Sequence, residues 1–424
     1  MKTKPINHLR ILSKSTNFDE NNFMKFGIIK ERKNPPDRRV VFSPLKLQEF
    51  QQQFPAATIL VESSDIRIFS DDAYLKAGFE VTTDLSDCDV LIGVKEVPVA
   101  ALIPNKKYFF FSHTIKKQPY NRNLLKAVLD KNIQLYDHEV ITDTNGNRLI
   151  GFGRYAGLVG AYNGFRAMGL RENTFHLPKA ENLADLQALL DQLNTIELPA
   201  IKILLTGSGK VAKGAKEILD AMHIKSVGIS DYITTNFEAP VYCKIDVLEY
   251  NKRKDGKVLG NRDFYNNPAD YESDFMRFAT VTDYYIAGHF FGDGSPFLFT
   301  KGDAKKDDFN ICLVADISCD INGPIASTLR ASTIADPVYG YDSQTATEVD
   351  FKNPGAITVM AVDNLPCELP KDASEGFGDL FLEHVIPAFY NDDKEEVLAR
   401  AKMTSGGKLT KRYAYLQAYL EGKE

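Results

Sequence analysis

A glycine-rich segment between a short apolar strand and a helix constrains the fold of this chain more than any other feature. Residues 201–205 are predicted as the strand and residues 211–222 as the helix. The spacing of the small residues Gly207, Gly209 and Ala212 matches a dinucleotide-binding fold, and so does their position between a strand and a helix. Gly207 permits the tight turn, Gly209 lets a pyrophosphate reach backbone amides at the helix N-terminus, and Ala212 allows helix and strand to pack closely. The segment therefore predicts an α/β dinucleotide-binding unit.

An acidic residue follows the glycine loop at the distance expected for a ribose ligand. Residues 226–230 are predicted as the next strand, and Asp231 stands at its end. A carboxylate at that point binds both ribose hydroxyls and repels a 2′-phosphate, which favours NAD and leaves NADP as the second choice. The alternative is that the glycines mark only a tight turn and that Asp231 is a loop or cap residue. The cofactor contacts predicted here come from Gly207, Ser208, Gly209, Lys210, Val211 and Asp231.

Strands and helices alternate along most of the chain, which predicts largely parallel sheets with helices on their faces. Strands are expected at residues 26–29, 58–62, 89–94, 108–112 and 133–136, with helices at 44–50, 121–130 and 181–193. A turn is expected at Asn145-Gly146. Residues 155–168 are rich in small side chains and predict a helix that other backbone approaches closely. Residues 252–302 are polar and aromatic, and we expect an irregular insertion there.

Composition narrows the class of protein. A chain of 424 residues is long enough for two domains, and its net charge of −6 offers no broad basic surface for nucleic acid or anionic membrane. Five cysteines without a CxxC pair suggest neither a disulfide framework nor a zinc site. No apolar run approaches the roughly 20 residues of a membrane helix. We expect a cytoplasmic protein that binds small molecules and no metal, with residues 1–22 as a flexible extension.

Titratable residues end two neighbouring predicted strands of the first block. Lys95 follows residues 90–94, and His113 follows residues 108–112. Ligands collect at the carboxyl ends of strands in open parallel sheets, so Lys95 and His113 can face one crevice as base and acid. The alternative is that the lysine is a solvated charge and the histidine an ordinary polar contact.

Several segments resemble, in the same order, those of the saccharopine dehydrogenase family, and most closely the lysine–oxoglutarate reductase half of the bifunctional lysine-degrading enzyme. Before the glycine loop they are residues 91–98, 110–116 and 152–157; from the loop onward they are residues 206–215, 316–320 and 363–366. The resemblance runs from about Lys25 to about Phe389. The 424 residues leave no room for the glutamate-forming enzyme that follows that half, so we expect one step alone.

The resemblance implies specific roles for residues outside the glycine loop. Lys95 and His113 would be the acid–base groups, and Glu139 would tune them. Arg39 and Arg148 would bind substrate carboxylates, a role that suits the planar, two-pronged guanidinium. Two further carboxylates, Asp316 and Asp320, would border the cofactor or the cleft, although carboxylates that close a strand are often only turn residues.

The resemblance also implies the architecture and the reaction. The fold would be two Rossmann-like lobes with mainly parallel sheets and an interdomain cleft: residues 23–170 plus 377–424 as the substrate lobe, and residues 171–376 as the dinucleotide lobe. The activity would be NAD(P)-dependent interconversion of saccharopine with L-lysine and 2-oxoglutarate, and a homo-oligomer is compatible with it. The alternatives are an alanine dehydrogenase-like enzyme and a catalytically silent, transhydrogenase-like dinucleotide-binding protein.

Overall fold

A computed structural model of the protein describes residues 24–423, so the extension predicted for residues 1–22 lies outside the described residues. The N-terminal part forms a six-stranded sheet in which every pairing is parallel. Its strands are β1 Met24–Ile28, β2 Ala57–Glu62, β3 Glu80–Thr82, β4 Val90–Ile92, β5 Lys107–Phe110 and β6 Gln134–Asp137. The accompanying helices are α1 Pro44–Gln53, α2 Asp71–Lys76 and α3 Arg122–Asp130. All five strands and both helices predicted from this part of the sequence are present, with shifted ends.

The order of the strands in this sheet is β3-β2-β1-β4-β5-β6. This is the doubly wound order, in which the chain moves outward first on one side of β1 and then on the other. The reversal between β1 and β4 opens a crevice at the carboxyl ends of these two strands, where ligands of open α/β sheets bind. Lys95 follows β4 and therefore lies at this switch point.

The C-terminal part contains an eight-stranded mixed sheet in the order β15-β14-β16-β13-β12-β7-β9-β8. Its strands are β7 Lys202–Thr206, β8 Lys225–Ser226, β9 Val241–Ile245, β12 Tyr284–Ala287, β13 Leu313–Asp316, β14 Val338–Asp342, β15 Thr347–Val349 and β16 Ile357–Met360. Two of its pairings are antiparallel, β14 with β15 and β14 with β16, so β14 alone runs opposite to the other strands. A small hairpin joins β10 Asn251–Arg253 and β11 Tyr271–Ser273. Helices of this part are α4 Gly153–Glu172, α5 Leu186–Leu193, α6 Lys210–Ala221, α7 Ile229–Thr234, α8 Asn261–Asn266 and α9 Met276–Ala279.

Three sequence expectations in this part need correction. The strand expected at residues 226–230 is wrong, because β8 ends at Ser226 and α7 begins at Ile229. The irregular insertion expected at residues 252–302 is also wrong, because it contains β12, which pairs with β7 and β13 in the middle of the sheet. The helix expected at residues 181–193 is shorter, because Asp185 caps the N-terminus of α5 through the backbone amide of Ala188.

The helix rich in small residues, α4, packs against α6, and this close approach was correctly predicted. A Cβ atom at Gly157 would overlap the carbonyl oxygen of Val211, and one at Gly214 would overlap the carbonyl oxygen of Arg154. Each helix therefore uses a glycine where the backbone of the other passes. The crossing fixes the start of α4 beside the start of α6, since Gly153 lies next to Lys210.

The C-terminal segment comprises α10 Pro370–His384, α11 Val397–Ala401, the short strands β17 Thr404–Ser405 and β18 Lys408–Leu409, and α12 Gln417–Leu420. Phe377 and Phe381 of α10 are fully buried in the core that covers the six-stranded sheet, and Phe381 lies edge-on to Phe109 of β5. The division of the chain at residues 170 and 377 stays a proposal. In residues 24–423, no helix combines the length and the apolar character that crossing a membrane requires.

The glycine crossing gives a test of the fold. Gly157→Ala should destabilise the protein by about 1–3 kcal/mol, because the added methyl group must displace backbone rather than a flexible side chain. Gly302→Ala is the matched control, since Gly302 is exposed, a Cβ there meets only the Thr300 hydroxyl at an ordinary 3.6 Å, and its φ lies outside the left-handed region. Denaturant unfolding of both variants measures the difference. Equal midpoints would contradict the crossing described here.

Candidate active site

The glycine loop after β7 begins with a tight turn packed against neighbouring backbone and ends at the exposed N-terminus of α6. Gly207 adopts a φ of 105°, which side chains rarely tolerate, and its amide donates to the carbonyl of Ile245 at 2.8 Å. A side chain at Gly207 would also strike the backbone of Gly288, which follows β12. The turn at Gly207 is therefore fixed by both neighbouring strands.

Beyond that turn, the N-terminus of α6 is accessible. No side chain caps the helix, and a Cβ at Gly209 would meet nothing within 4 Å. Ser208, Gly209 and Lys210 are all exposed, whereas Val211 is half-buried. Uncapped amides at the positive end of a twelve-residue helix suit an anion such as a pyrophosphate.

Asp231, predicted as the ribose ligand, does not lie at the end of the strand that neighbours β7. Asp231 is exposed on α7 and does not end a strand. The strand beside β7 is β9, and the residue that follows it is Asp246. Its Oδ1 accepts the Val247 amide at 2.8 Å and its Oδ2 accepts Asn261 Nδ2 at 3.0 Å, which leaves acceptor capacity on both oxygens.

At the switch point of the six-stranded sheet, Lys95 is half-buried beside several charged groups. Burial lowers the pKa of its ammonium, the nearby Arg39 lowers it further, and Asp37 partly opposes both. A lysine in this environment loses its proton more readily than a solvated lysine, as a general base must.

Arg39, expected to bind a substrate carboxylate, is buried in an ion pair within the protein. Its Nε and Nη2 donate to the carboxylate of Asp37 at 3.0 and 2.6 Å, and the guanidinium lies 4.3 Å from the ring centre of Phe152. Although burial raises the pKa of Asp37, the contacts with Arg39 outweigh it and lower the pKa to about 2. The substrate role of Arg39 stays a prediction, and it would require this guanidinium to share its donors.

His113 lies between two carboxylates at the end of β5. Its φ of 54° turns the chain sharply, and its ring stacks on Phe111. Nε2 lies 3.6 Å from Glu96 Oε1, and Nδ1 lies 3.4 Å from Glu139 Oε2. Each ring nitrogen of the imidazole therefore faces one carboxylate.

The carboxylate of Glu139 contacts two positively charged side chains as well as His113. Lys116 Nζ lies 3.3 Å from Glu139 Oε1, and Arg148 Nη2 lies 3.4 Å from the same oxygen. Burial raises the pKa of Glu139, but His113, Lys116 and Arg148 together lower it to about 2. Arg148 keeps about half of its side chain exposed, so its remaining donors can reach a bound anion.

One lysine connects the glycine loop to the segment that carries Arg148. Lys210 Nζ donates to the backbone carbonyls of Arg148 and Leu149 at 3.2 and 3.1 Å. Burial and the charge of Arg148 lower the pKa of Lys210. The loop at the start of α6 and the cluster around Glu139 are thus neighbours, as a site shared by cofactor and substrate requires.

The two acidic residues expected near the cofactor differ in their environment. Both oxygens of buried Asp316 accept hydrogen bonds within the protein, from Ser318 Oγ and Thr328 Oγ1, each at 2.6 Å. These bonds fix the turn after β13. Asp320 is half-buried, and burial followed by the charge of Asp316 raises its pKa.

Sequence reasoning missed Asp37, Asp246 and His289 as members of this region. Asp246 could have been found only by choosing the segment at 241–245 rather than 226–230 as the neighbour of β7. His289 lies beneath the glycine loop, with Nδ1 3.0 Å from Thr206 Oγ1, and burial lowers its pKa to about 4. The sequence feature that could have indicated Asp37 is its position two residues before Arg39, which was predicted as a site residue.

The chain is similar in sequence to known proteins. Residues 27–159 match the family described as alanine dehydrogenase/PNT, N-terminal domain. The chain is 29% identical over 414 residues to the mitochondrial alpha-aminoadipic semialdehyde synthase of Mus musculus, covering 86% of this chain and 45% of that protein. It is 24% identical over 353 residues to the saccharopine dehydrogenase [NAD(+), L-lysine-forming] of Yarrowia lipolytica, covering 81% of this chain and 87% of that protein.

The chain is thus similar to proteins named alpha-aminoadipic semialdehyde synthase and saccharopine dehydrogenase. The resemblance predicted from the sequence is confirmed, and the chain spans about half the length of the synthases it matches. Among solved structures, an L-alanine dehydrogenase superposes with a TM-score of 0.61 at 15% identity, covering 95% of this chain and all of that one. A transhydrogenase from Sinorhizobium meliloti gives 0.59 at 16% identity, with 91% and 100% coverage. These likenesses confirm the α/β Rossmann-like fold class and carry no conclusion about activity.

Proposed function

We propose that this protein is an NAD(P)-dependent oxidoreductase that interconverts saccharopine with L-lysine and 2-oxoglutarate. The observation that carries the proposal is that Lys95 and His113 follow neighbouring strands of one sheet, while Glu139 and Arg148 link His113 to Lys210 at the start of α6. The names of the relatives support the substrate, since they include saccharopine dehydrogenases that form L-lysine with NAD(+). The cytoplasmic location and the homo-oligomeric assembly stay predictions.

The cofactor would lie across the carboxyl ends of β7 and β9. Amides at the start of α6, near Gly209 and Lys210, would bind its pyrophosphate, and Asp246 would accept hydrogen bonds from the adenosine ribose. When bound, the nicotinamide accepts a hydride from the substrate carbon, or returns it in the reverse direction. Open space at Gly209 and spare acceptor capacity at Asp246 fit this group.

Lys95 and His113, at strand ends of the six-stranded sheet, would accept and donate the protons of the reaction. In saccharopine oxidation, Lys95 accepts a proton from the substrate's secondary ammonium, so that its nitrogen lone pair supports loss of hydride from carbon. His113 then accepts a proton from the water that adds to the imine carbon and donates it to the nitrogen of the resulting carbinolamine. The C–N bond breaks to release the lysine amine, and the hydroxyl proton passes to solvent, which leaves the ketone of 2-oxoglutarate. Arg148 would bind a carboxylate of the 2-oxoglutarate portion, because its guanidinium is half-exposed and its backbone carbonyl contacts Lys210 at the start of α6.

The proposed reaction can be tested directly with purified protein. Reduced cofactor should be oxidised when both 2-oxoglutarate and L-lysine are present, and neither substrate should suffice alone. Turnover of pyruvate and ammonia instead would favour an alanine dehydrogenase-like enzyme. Tight binding of the cofactor without turnover of any of these substrates would favour the catalytically silent alternative.

Cofactor preference tests the reassignment of the ribose carboxylate. Asp246→Ala should weaken NADH binding by roughly tenfold to a hundredfold, because the hydrogen bonds to a charged group are lost, and should reduce the preference over NADPH. Asp231→Ala is the matched control and should leave both dissociation constants unchanged. Fluorescence titration with each cofactor measures them. An effect at Asp231 and none at Asp246 would overturn the assignment.

The proton-transfer roles make a second prediction. Lys95→Met and His113→Gln should each keep cofactor affinity but lower kcat by about a hundredfold to ten-thousandfold, the usual worth of a positioned acid or base. In the direction of amine oxidation, activity rises with pH as Lys95 loses its proton, so the acidic limb of kcat/KM should disappear in Lys95→Met. Lys107→Met, at the opposite end of β5, is the control. Full activity in either catalytic variant would refute the mechanism.

A further inference from the structure

One carboxylate joins the two strand ends that form the switch point of the six-stranded sheet. Glu31 lies three residues beyond the end of β1, and its two oxygens accept the backbone amides of Val94 and Lys95, at 2.7 and 2.8 Å. The Glu31 residue is only 7% exposed. The backbone that carries the candidate base is therefore bound, from across the crevice, by a single side chain.

The contact requires a carboxylate in particular. Two N–H donors face Glu31, and an ionised carboxylate offers two acceptor oxygens, whereas an amide offers one oxygen and presents N–H groups of its own. The neighbouring backbone also packs closely on β1 and the residues after it, because a Cβ at Gly93 would lie 2.7 Å from the Ile29 side chain. The tight packing at Gly93 and the paired amides together define where the Lys95 side chain starts.

Burying the charged form of the Glu31 carboxylate costs free energy. Burial is the largest influence on Glu31 and, with the charge of Asp37, raises its pKa to about 7, although the bonds from Val94 and Lys95 and the charge of Arg39 oppose the change. A neutral side chain would avoid that cost but would leave at least one amide without an acceptor. Perturbed carboxylates of this kind cluster at functional sites.

We propose that Glu31 is a positioning residue for Lys95: by binding the two amides, it holds the Lys95 side chain in the crevice, facing the substrate nitrogen. The proposal rests on the function proposed above, in which Lys95 is the base. Glu31 would not contact the substrate. It would act through the backbone of the residue that does.

The chain offers a matched control at the end of the adjacent strand. Glu62 ends β2, is 6% exposed, and accepts the amide of Lys30 at 2.9 Å while pairing with Arg32. Glu62 resembles Glu31 in burial and in binding a backbone amide at a strand end of the same sheet. The amide that Glu62 binds, however, does not belong to a candidate catalytic residue. A purely structural role for such carboxylates predicts the same consequences at Glu31 and Glu62.

The experiment compares Glu31→Gln with Glu62→Gln in the full chain. Misplacement of a reacting group by about 1 Å can cost about a hundredfold, so Glu31→Gln should lower kcat by roughly tenfold to a hundredfold with little change in cofactor affinity. Glu62→Gln should leave kcat within about twofold. Equal losses of kcat in the two variants would overturn the proposal.

A second readout does not depend on turnover. The rate of acetylation of Lys95 by acetic anhydride, followed by mass spectrometry over a range of pH, reports its pKa. In Glu31→Gln a freed Lys95 should meet more water, so its pKa should rise toward the ordinary value of about 10.4. An unchanged or lower value would refute the positioning role. If Glu31→Gln does not fold, Glu31→Asp replaces it, because its shorter side chain cannot reach both amides, and a wild-type Lys95 profile in that variant refutes the role equally.

The two proposals can fail separately. Absence of saccharopine turnover in the wild-type protein would remove the proposed function but would not touch the acetylation result. A shifted Lys95 profile in Glu31→Gln alone would still support the positioning role. Normal turnover with an unshifted profile would leave the function standing and reject the role of Glu31.

Discussion

The crossing of α4 and α6 is the contact on which the candidate site depends. Because glycines replace side chains on both helices, the backbones touch, and the start of α6 lies beside Gly153. The same proximity lets Lys210 reach the carbonyls of Arg148 and Leu149. The glycine loop of one sheet and the charged cluster of the other are therefore neighbours because two helices lack Cβ atoms at two positions.

The second constraint is the balance of charge around the switch point. Positive charge from Lys95 and Arg39 is placed against the carboxylates of Asp37 and Glu31, and burial strengthens each interaction. Burial is the largest influence that lowers the pKa of Lys95, the charge of Arg39 adds to it, and the charge of Asp37 opposes both. The site thus favours the unprotonated form of the lysine, which is the form that can accept a proton from an amine.

Local sequence patterns predicted the first sheet well, because apolar runs bounded by polar turns follow one another in simple alternation. They failed where strand pairing decides the outcome. Residues 226–230 and 241–245 both have the character of a strand, and only the pairing of β9 with β7 identifies Asp246 as the carboxylate beside the loop. The central strand β12 is a four-residue run within a polar and aromatic stretch, too short for its pattern to stand out.

The candidate site shows the same limit. Lys95 and His113 each follow a predicted strand. The sequence therefore predicted that they lie at one edge of a parallel sheet, since the carboxyl ends of neighbouring strands share that edge. It could not show that Asp37 already pairs with Arg39, because a carboxylate two residues from an arginine can point either way. Nor could it show that Glu31 binds the backbone of Lys95, since that contact joins residues 64 positions apart.

The most direct test of the central claim follows the transferred hydrogen itself. The protein would be incubated with 2-oxoglutarate, L-lysine and NADH carrying two deuterium atoms at C4 of the nicotinamide, and the product would be analysed by mass spectrometry. The account predicts saccharopine with one deuterium on the carbon that was the ketone of 2-oxoglutarate. A product without deuterium, or the absence of any secondary amine although cofactor binds, would contradict it.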